Sequence, residues 1–200
     1  MKRIGVLVSG GGTNLKALID AEKSGILKSG KISVVVSDKP DAYALTRAKD
    51  NGIETKVILK KDYSDRDAFS KAICEFMQEK KIDLIVLAGF LSILSGEFLS
   101  VYRDRIINVH PSLIPSFCGD GFYGLKVHKA ALDYGVKVTG ATVHFVNEVT
   151  DGGKIILQKA VEVKSGDTPE ILQKRVMEEA EWKILPEAAE LFCSGKLETE

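Results

Sequence analysis

The first hundred residues alternate short apolar runs with segments whose apolar residues return every three or four positions. RIGVLVS (Arg3 to Ser9), KISVVVS (Lys31 to Ser37), TKVILK (Thr55 to Lys60) and DLIVLAG (Asp83 to Gly89) are short and bounded by turn or helix signals, so they predict strands. LKALIDAEKSG (Leu15 to Gly25), DAYALTRAKDNG (Asp41 to Gly52, closed by Asn-Gly) and RDAFSKAICEFMQEKK (Arg66 to Lys81) have helical periodicity. Strands that are apolar throughout and bracketed by helices imply a parallel sheet buried on both faces. The predicted class is therefore α/β and doubly wound in its first half.

Past His110 the pattern changes. YGLKVHKAALDYG (Tyr123 to Gly135) predicts a helix with a glycine stop. VKVTGATVHFV (Val136 to Val146) and KIILQKAVEV (Lys154 to Val163) predict two strands joined by a short loop, hence antiparallel. A last helix follows, with Asp167 and Glu170 as a capping pair, Pro169 in its first turn, and Pro186 expected to kink or divide it. The sheet should thus be mostly parallel with an antiparallel C-terminal portion. No linker-like stretch interrupts residues 1–200, which read as a single domain with halves at about 1–110 and 111–200.

Composition narrows the class without naming it. Lys and Arg number 28 and so do Asp and Glu, leaving no basic surplus for nucleic acid or membrane surfaces. Three cysteines without CxxC spacing suggest neither a disulfide framework nor a zinc site, and three scattered histidines argue against a metal centre. The N-terminus runs straight into a strand, and the apolar stretch Leu84 to Leu94 is too short to span a bilayer. The expectation is a cytoplasmic protein acting on small molecules, monomeric or homodimeric.

VSGGGTNL (Val8 to Leu15) joins the first strand to the first helix, where glycines let backbone N–H groups approach an anion. Gly10 and Gly12 fit the start of a dinucleotide fingerprint, but Leu15 holds the third glycine position; Asp38 at the end of the second strand keeps that rival open. Thr13 and Asn14 can hydrogen-bond a phosphate or a ribose. The loop says phosphate without saying which.

IINVHPSLIPSFCGDG (Ile106 to Gly121) is the other unusual stretch. Alternation puts Asn108 and His110 on one face of a strand and Ile107 and Val109 on the other, and Pro111 ends regular pairing. In open α/β sheets ligands bind beyond the carboxyl ends of the strands, the edge that also carries the glycine loop. An amide beside an imidazole suits stabilising an oxyanion and moving a proton. No Ser or Cys elbow is present, so the attacking group belongs to a substrate. Asp151, before two glycines in a loop between strands, could carry a carboxylate to His110 and raise its pKa; Asp-Gly-Gly is equally a common turn. His144 reads either as a site residue or as a satisfied buried histidine; His128 reads as surface or packing.

VSGGGTNL, LAGFLSILS, NVHPSLIPSF, GATVHFV and TDGGKIILQ, in this order and spacing, resemble the folate-dependent phosphoribosylglycinamide formyltransferases of purine synthesis, over nearly the whole chain. HPSLIP with a later D-G-G marks the wider formyltransferase superfamily, and the glycine loop narrows the likeness to the member with a phosphorylated small substrate. The resemblance implies 10-formyltetrahydrofolate as cosubstrate, no metal, and Asn108, His110 and Asp151 as the catalytic trio. It implies contacts to the phosphoribosylglycinamide from Gly11, Gly12, Thr13, Asn14, Leu15 and a glutamate of the last helix (Glu181, with Glu178 or Glu179 as register neighbours). It implies a folate pocket formed by Arg66, Leu91, Ser92, Ile93, Leu94, Asn108, His144, Asn147, Glu148, Val149, Thr150 and Asp151. Ser92 stands where many members carry a basic residue, and Phe117 to His128 is longer than in several of them. The rival readings are formyl transfer to another amine, such as an amino sugar nucleotide, and a non-catalytic phosphate-sugar or dinucleotide module depending on Asp38.

Overall fold

The computed structural model describes residues 1–197. Seven strands, β1 (Lys2–Val8), β2 (Gly30–Ser37), β3 (Glu54–Val57), β4 (Leu84–Leu87), β5 (Ile106–His110), β6 (Val138–Phe145) and β7 (Ile155–Glu162), form one sheet in the order β3-β2-β1-β4-β5-β6-β7. The first five are parallel; β5–β6 and β6–β7 are antiparallel. The chain leaves β1 toward β2 and later returns to its other side at β4, so a topological switch crevice opens between the loops after β1 and β4.

The two faces of the sheet bury separate cores. Ile4, Val6, Val8, Ile107 and Val109 pack under α1 (Thr13–Ser24), α2 (Tyr43–Asp50), α6 (Pro169–Val176) and α7 (Trp182–Cys193). Leu7, Val34, Val36, Ile85 and Ile106 pack under α3 (Arg66–Glu79) and α4 (Gly96–Val101). The remaining helix, α5 (Leu125–Tyr134), buries Val127, His128 and Ala131. Each central strand therefore feeds apolar side chains alternately to both sides, which is why it reads as a continuous apolar run.

Three local expectations need revision. The cap of α6 is Thr168, whose hydroxyl accepts from the Ile171 N–H at 3.3 Å; Asp167 instead accepts from the Lys164 N–H and grips Arg175 through both oxygens. Pro186 sits inside α7 without breaking it. The irregularity lies a turn earlier, in a π-helical turn at Met177–Glu181 closed by Trp182 with ψ −8°. Trp182 is four residues before Pro186, the position whose carbonyl loses its helical N–H partner to the proline. Finally, α4, capped by the Ser95 hydroxyl, falls in a stretch that periodicity left unassigned because it is only six residues long.

Candidate active site

The glycine loop is built to leave a helix end open. Gly12 is the N-cap of α1 with φ 70°, and a Cβ there would lie 2.6 Å from the Ala44 Cβ, so both backbone and packing demand glycine. No side chain caps α1 and no acidic residue occupies its first turn, which leaves the first-turn N–H groups available to an anion. α2 braces the loop: the Ala44 N–H donates to the Gly10 carbonyl and Arg47 Nε to the Gly11 carbonyl. Leu15 is fully buried in the core, so it can offer a ligand only its backbone. Asn14 turns toward the last helical segment and donates through Nδ2 to Glu181 Oε2 at 2.8 Å.

Glu181 is 6% exposed and ends the π-helical turn, which is what aims it at α1. Burial pushes its carboxyl up to about 7, against the smaller lowering by the Asn14 bond. Among its register neighbours, Glu178 is exposed and pairs with Lys174, and Glu179 is exposed, so Glu181 is the glutamate that reaches the glycine loop.

The second cluster lies on the α3/α4 face of the sheet. Asn108 and His110 share a face while Ile107 and Val109 enter the opposite core, as alternation predicted. In the β5–β6 register Asn108 faces His144 and His110 faces Thr142, so the four side chains form a polar square in which Asn108 alone is half-buried. The His144 Nδ1 lies 2.8 Å from the Phe145 carbonyl, which can only accept, so Nδ1 carries a proton, and Nε2 lies 3.2 Å from the Asn108 side-chain nitrogen. The His110 Nε2 likewise donates to the Phe117 carbonyl at 2.9 Å. Asp151 joins both rings: its Oδ2 is 3.5 Å from His110 Nδ1 and its Oδ1 3.5 Å from His144 Nε2, and Oδ2 accepts the Gly119 N–H at 2.9 Å.

The loop that delivers Asp151 explains the two glycines after it. Asp151 has φ 55°, a conformation aspartate tolerates better than most side chains. A Cβ on Gly152 would strike Val149, and one on Gly153 would lie 1.7 Å from the Phe145 carbonyl oxygen. Asp-Gly-Gly is thus a turn and a site at once.

One electrostatic expectation is reversed. Asp151 does raise the His110 pKa, but burial outweighs it and the net direction is down, so the resting ring is neutral near pH 7. For Asp151, burial pushes the carboxyl up; the His144 and Gly119 hydrogen bonds and the charge of both rings pull it down further, and it stays ionised. His128 is a buried packing residue, with no protein partner at either ring nitrogen; burial, then the charge of His110, holds its pKa at about 4.

The stretch after β4 is a wall pinned by serines. The Leu91 N–H donates to Ser9 Oγ, the Ser95 N–H to Ser70 Oγ, and Ser92 Oγ donates to Asp38 Oδ2 at 2.7 Å. Leu91 and Ile93 are exposed, as is Val149, whereas Leu94 is 7% exposed and packs in the α3/α4 core, leaving it only a backbone contribution to any pocket. Asn147, Glu148 and Thr150 are exposed in the Asp151 loop; Asn147 Oδ1 accepts the Val149 N–H, and Thr150 bonds Asp120 of the rim. Arg66 is exposed at the start of α3, where its Nε pairs with Asp67 Oδ1 at 3.4 Å. Sequence reasoning missed the Phe117 carbonyl and the Gly119 N–H, which carry no side-chain signal. Among the described residues no group of three His, Cys, Asp or Glu is placed to hold a metal ion, and no helix is long and apolar enough to cross a membrane.

Residues 2–189 match the formyl transferase family model. The chain belongs to the formyl transferase family. It is 42% identical to the phosphoribosylglycinamide formyltransferase of Haemophilus influenzae, over 98% of this chain and 90% of that one. It is 48% identical to the trifunctional purine biosynthetic protein adenosine-3 of Bos taurus, of which it spans 18%. The crystal structure of glycinamide ribonucleotide transformylase 1 from Symbiobacterium toebii superimposes with a TM-score of 0.93 at 45% identity, covering all of this chain and 91% of that one. The formyl transferase fold thus accounts for both the parallel half and the antiparallel end of the sheet.

Proposed function

We propose that this chain transfers the formyl group of 10-formyltetrahydrofolate to the amine of N1-(5-phosphoribosyl)glycinamide, giving formylglycinamide ribonucleotide and tetrahydrofolate. The observation that carries the reading is the cluster of Asn108, His110, His144 and Asp151, set at the strand ends that also carry the uncapped α1 N-terminus and the Glu181–Asn14 pair.

The phosphate binds at the first-turn N–H groups of α1, with Gly11, Gly12, Thr13 and Asn14 around it, and Glu181 accepts from the acceptor's sugar or amine. The folate lies against Leu91, Ile93 and Val149, with Asn147, Glu148 and Thr150 at its rim and Arg66 toward its anionic end. Fixing both substrates away from the reacting atoms turns their binding energy into alignment. The amine nitrogen attacks the formyl carbon, and the carbonyl oxygen becomes an oxyanion held by the Asn108 amide. Neutral His110 takes the proton lost by the amine, becomes an imidazolium paired with Asp151, and delivers that proton as the folate nitrogen departs. A ring that is neutral at rest suits this role, because it must begin as a base. The reaction consumes no nucleoside triphosphate, and the cytoplasm is where we place it.

Formyl transfer from 10-formyltetrahydrofolate, measured with and without the ribonucleotide for wild type and His110→Ala, tests the proposal. Ribonucleotide-dependent turnover lost in the variant supports it. Equal folate consumption without ribonucleotide identifies a hydrolase, and folate binding without either reaction identifies a different acceptor amine.

A further inference from the structure

His110, Thr142 and Gln158 face one another in register across β5, β6 and β7, in one row on one face of the sheet. Thr142 is fully buried, and its hydroxyl is saturated. It donates to the Ser112 carbonyl at 2.7 Å and accepts from the Ile114 N–H at 3.1 Å and from Gln158 Nε2 at 3.0 Å, filling its one donor and two acceptor positions. Gln158 Nε2 also donates to the Ile114 carbonyl at 3.0 Å. All the backbone atoms so engaged belong to Ser112 and Ile114, two and four residues beyond His110.

The same loop then turns back, and its Phe117 carbonyl accepts from the His110 Nε2–H while its Gly119 N–H donates to Asp151. The direction of the His110 ring is therefore set from two ends: by β5 below it, and by a loop whose origin is tied to β6 and β7. Thr142 and Gln158 are already paired through their backbones in the β6–β7 ladder, independently of either side chain. A valine would fill the Thr142 position equally well, so a buried hydroxyl with two bonds to one loop and a third to Gln158 needs a reason beyond packing.

We propose that Thr142 and Gln158 are positioning residues for His110, tying Ser112 and Ile114 to the sheet so that the ring is held between Asp151 and the site. This rests on the reading that His110 moves the proton in formyl transfer. Neither residue touches the reacting atoms in this account; both act through the loop.

Thr142→Val, Thr142→Ser and Gln158→Leu test it, with steady-state kinetics in both substrates and a ¹⁵N–¹H NMR titration of the His110 imidazole in the free protein. A misdirected general base predicts kcat lower by about 10–100-fold in Thr142→Val with both KM values within about threefold of wild type, and recovery to within about threefold in Thr142→Ser. Gln158 lies on the exposed edge strand, so Gln158→Leu folds regardless and should lower kcat by about 3–10-fold. The NMR titration should show the His110 Nε2–H tautomer weakened in Thr142→Val and restored in Thr142→Ser. Wild-type kcat in both Thr142→Val and Gln158→Leu, or a rise in KM at constant kcat, overturns the proposal; should Thr142→Val fail to fold, Gln158→Leu decides by the same criteria. If the wild-type protein transfers no formyl group, the functional reading fails, and the titration alone still decides whether the two residues set the His110 ring: an unchanged tautomer and titration in the variants overturns it.

Discussion

Replacing Asp151 by Asn isolates the one charge that both histidines share. Asp151 Oδ2 lies 3.5 Å from His110 Nδ1, with side chains 9% and 6% exposed, so the pair is poorly screened. Two unit charges at that separation attract by about 5 kcal/mol at an effective dielectric of about 20. That is an upper bound of about three and a half decades in rate if the imidazolium forms fully in the transition state. The carboxamide keeps an oxygen for the Gly119 N–H, so geometry is largely retained and we expect kcat lower by about 10²–10³. The pH profile gives a sharper check. His110 acts as a base when neutral, so activity rises with pH through its pKa, which burial already holds below the ordinary 6.5. Asp151 is the neighbouring charge that raises that pKa; without it the pKa falls further. The acid limb of Asp151→Asn must therefore move to lower pH even as the enzyme slows. The carboxyl of Asp151 titrates below the ordinary 3.8 and leaves this limb undisturbed. Stopped-flow or steady-state formyl transfer from pH 5 to 8 reads both effects. A limb moving to higher pH, or kcat within tenfold of wild type, would refute the pairing.

Asn108→Ala removes the oxyanion donor and should lower kcat by about 10²–10³ with little change in either KM, measured in the same assay. Glu181→Gln tests a linkage: a carboxyl raised from 4.5 to about 7 on folding binds its proton more tightly in the native state, so the ligand-free wild type loses about 3 kcal/mol of stability as pH rises from 4.5 through 7. Urea melts should show that slope in the wild type and not in the variant, whose ribonucleotide KM should rise. Gly12→Ala forces a Cβ to within 2.6 Å of Ala44 at φ 70°, and should cost about 1–3 kcal/mol in denaturant melts. Its ribonucleotide KM should rise while the folate KM stays; the reverse pattern would mean the two pockets are exchanged.

The strands of the parallel half were legible because burial on both faces writes itself as unbroken apolar runs, and the face shared by Asn108 and His110 followed from alternation alone. Leu15 and Leu94 were legible as loop positions near a ligand but not as core residues, since a motif gives location along the chain and not side-chain direction. Glu181 needed the π-helical turn to be aimed, and nothing local in EEAEW announces one; the visible break signal, Pro186, sits inside α7 without dividing it. The sign of the His110 shift was misjudged for a related reason. A neighbouring carboxylate can be guessed from a motif, whereas burial is a property of the assembled sheet, and here burial is the larger effect. That ordering bears on mechanism. A histidine held charged by its aspartate could polarise the formyl oxygen but would start with no vacancy for the amine's proton. One kept neutral by burial, with an ionised aspartate 3.5 Å away, starts as a base and becomes a stabilised acid once protonated, so in the proposed mechanism a single side chain serves both halves of the transfer.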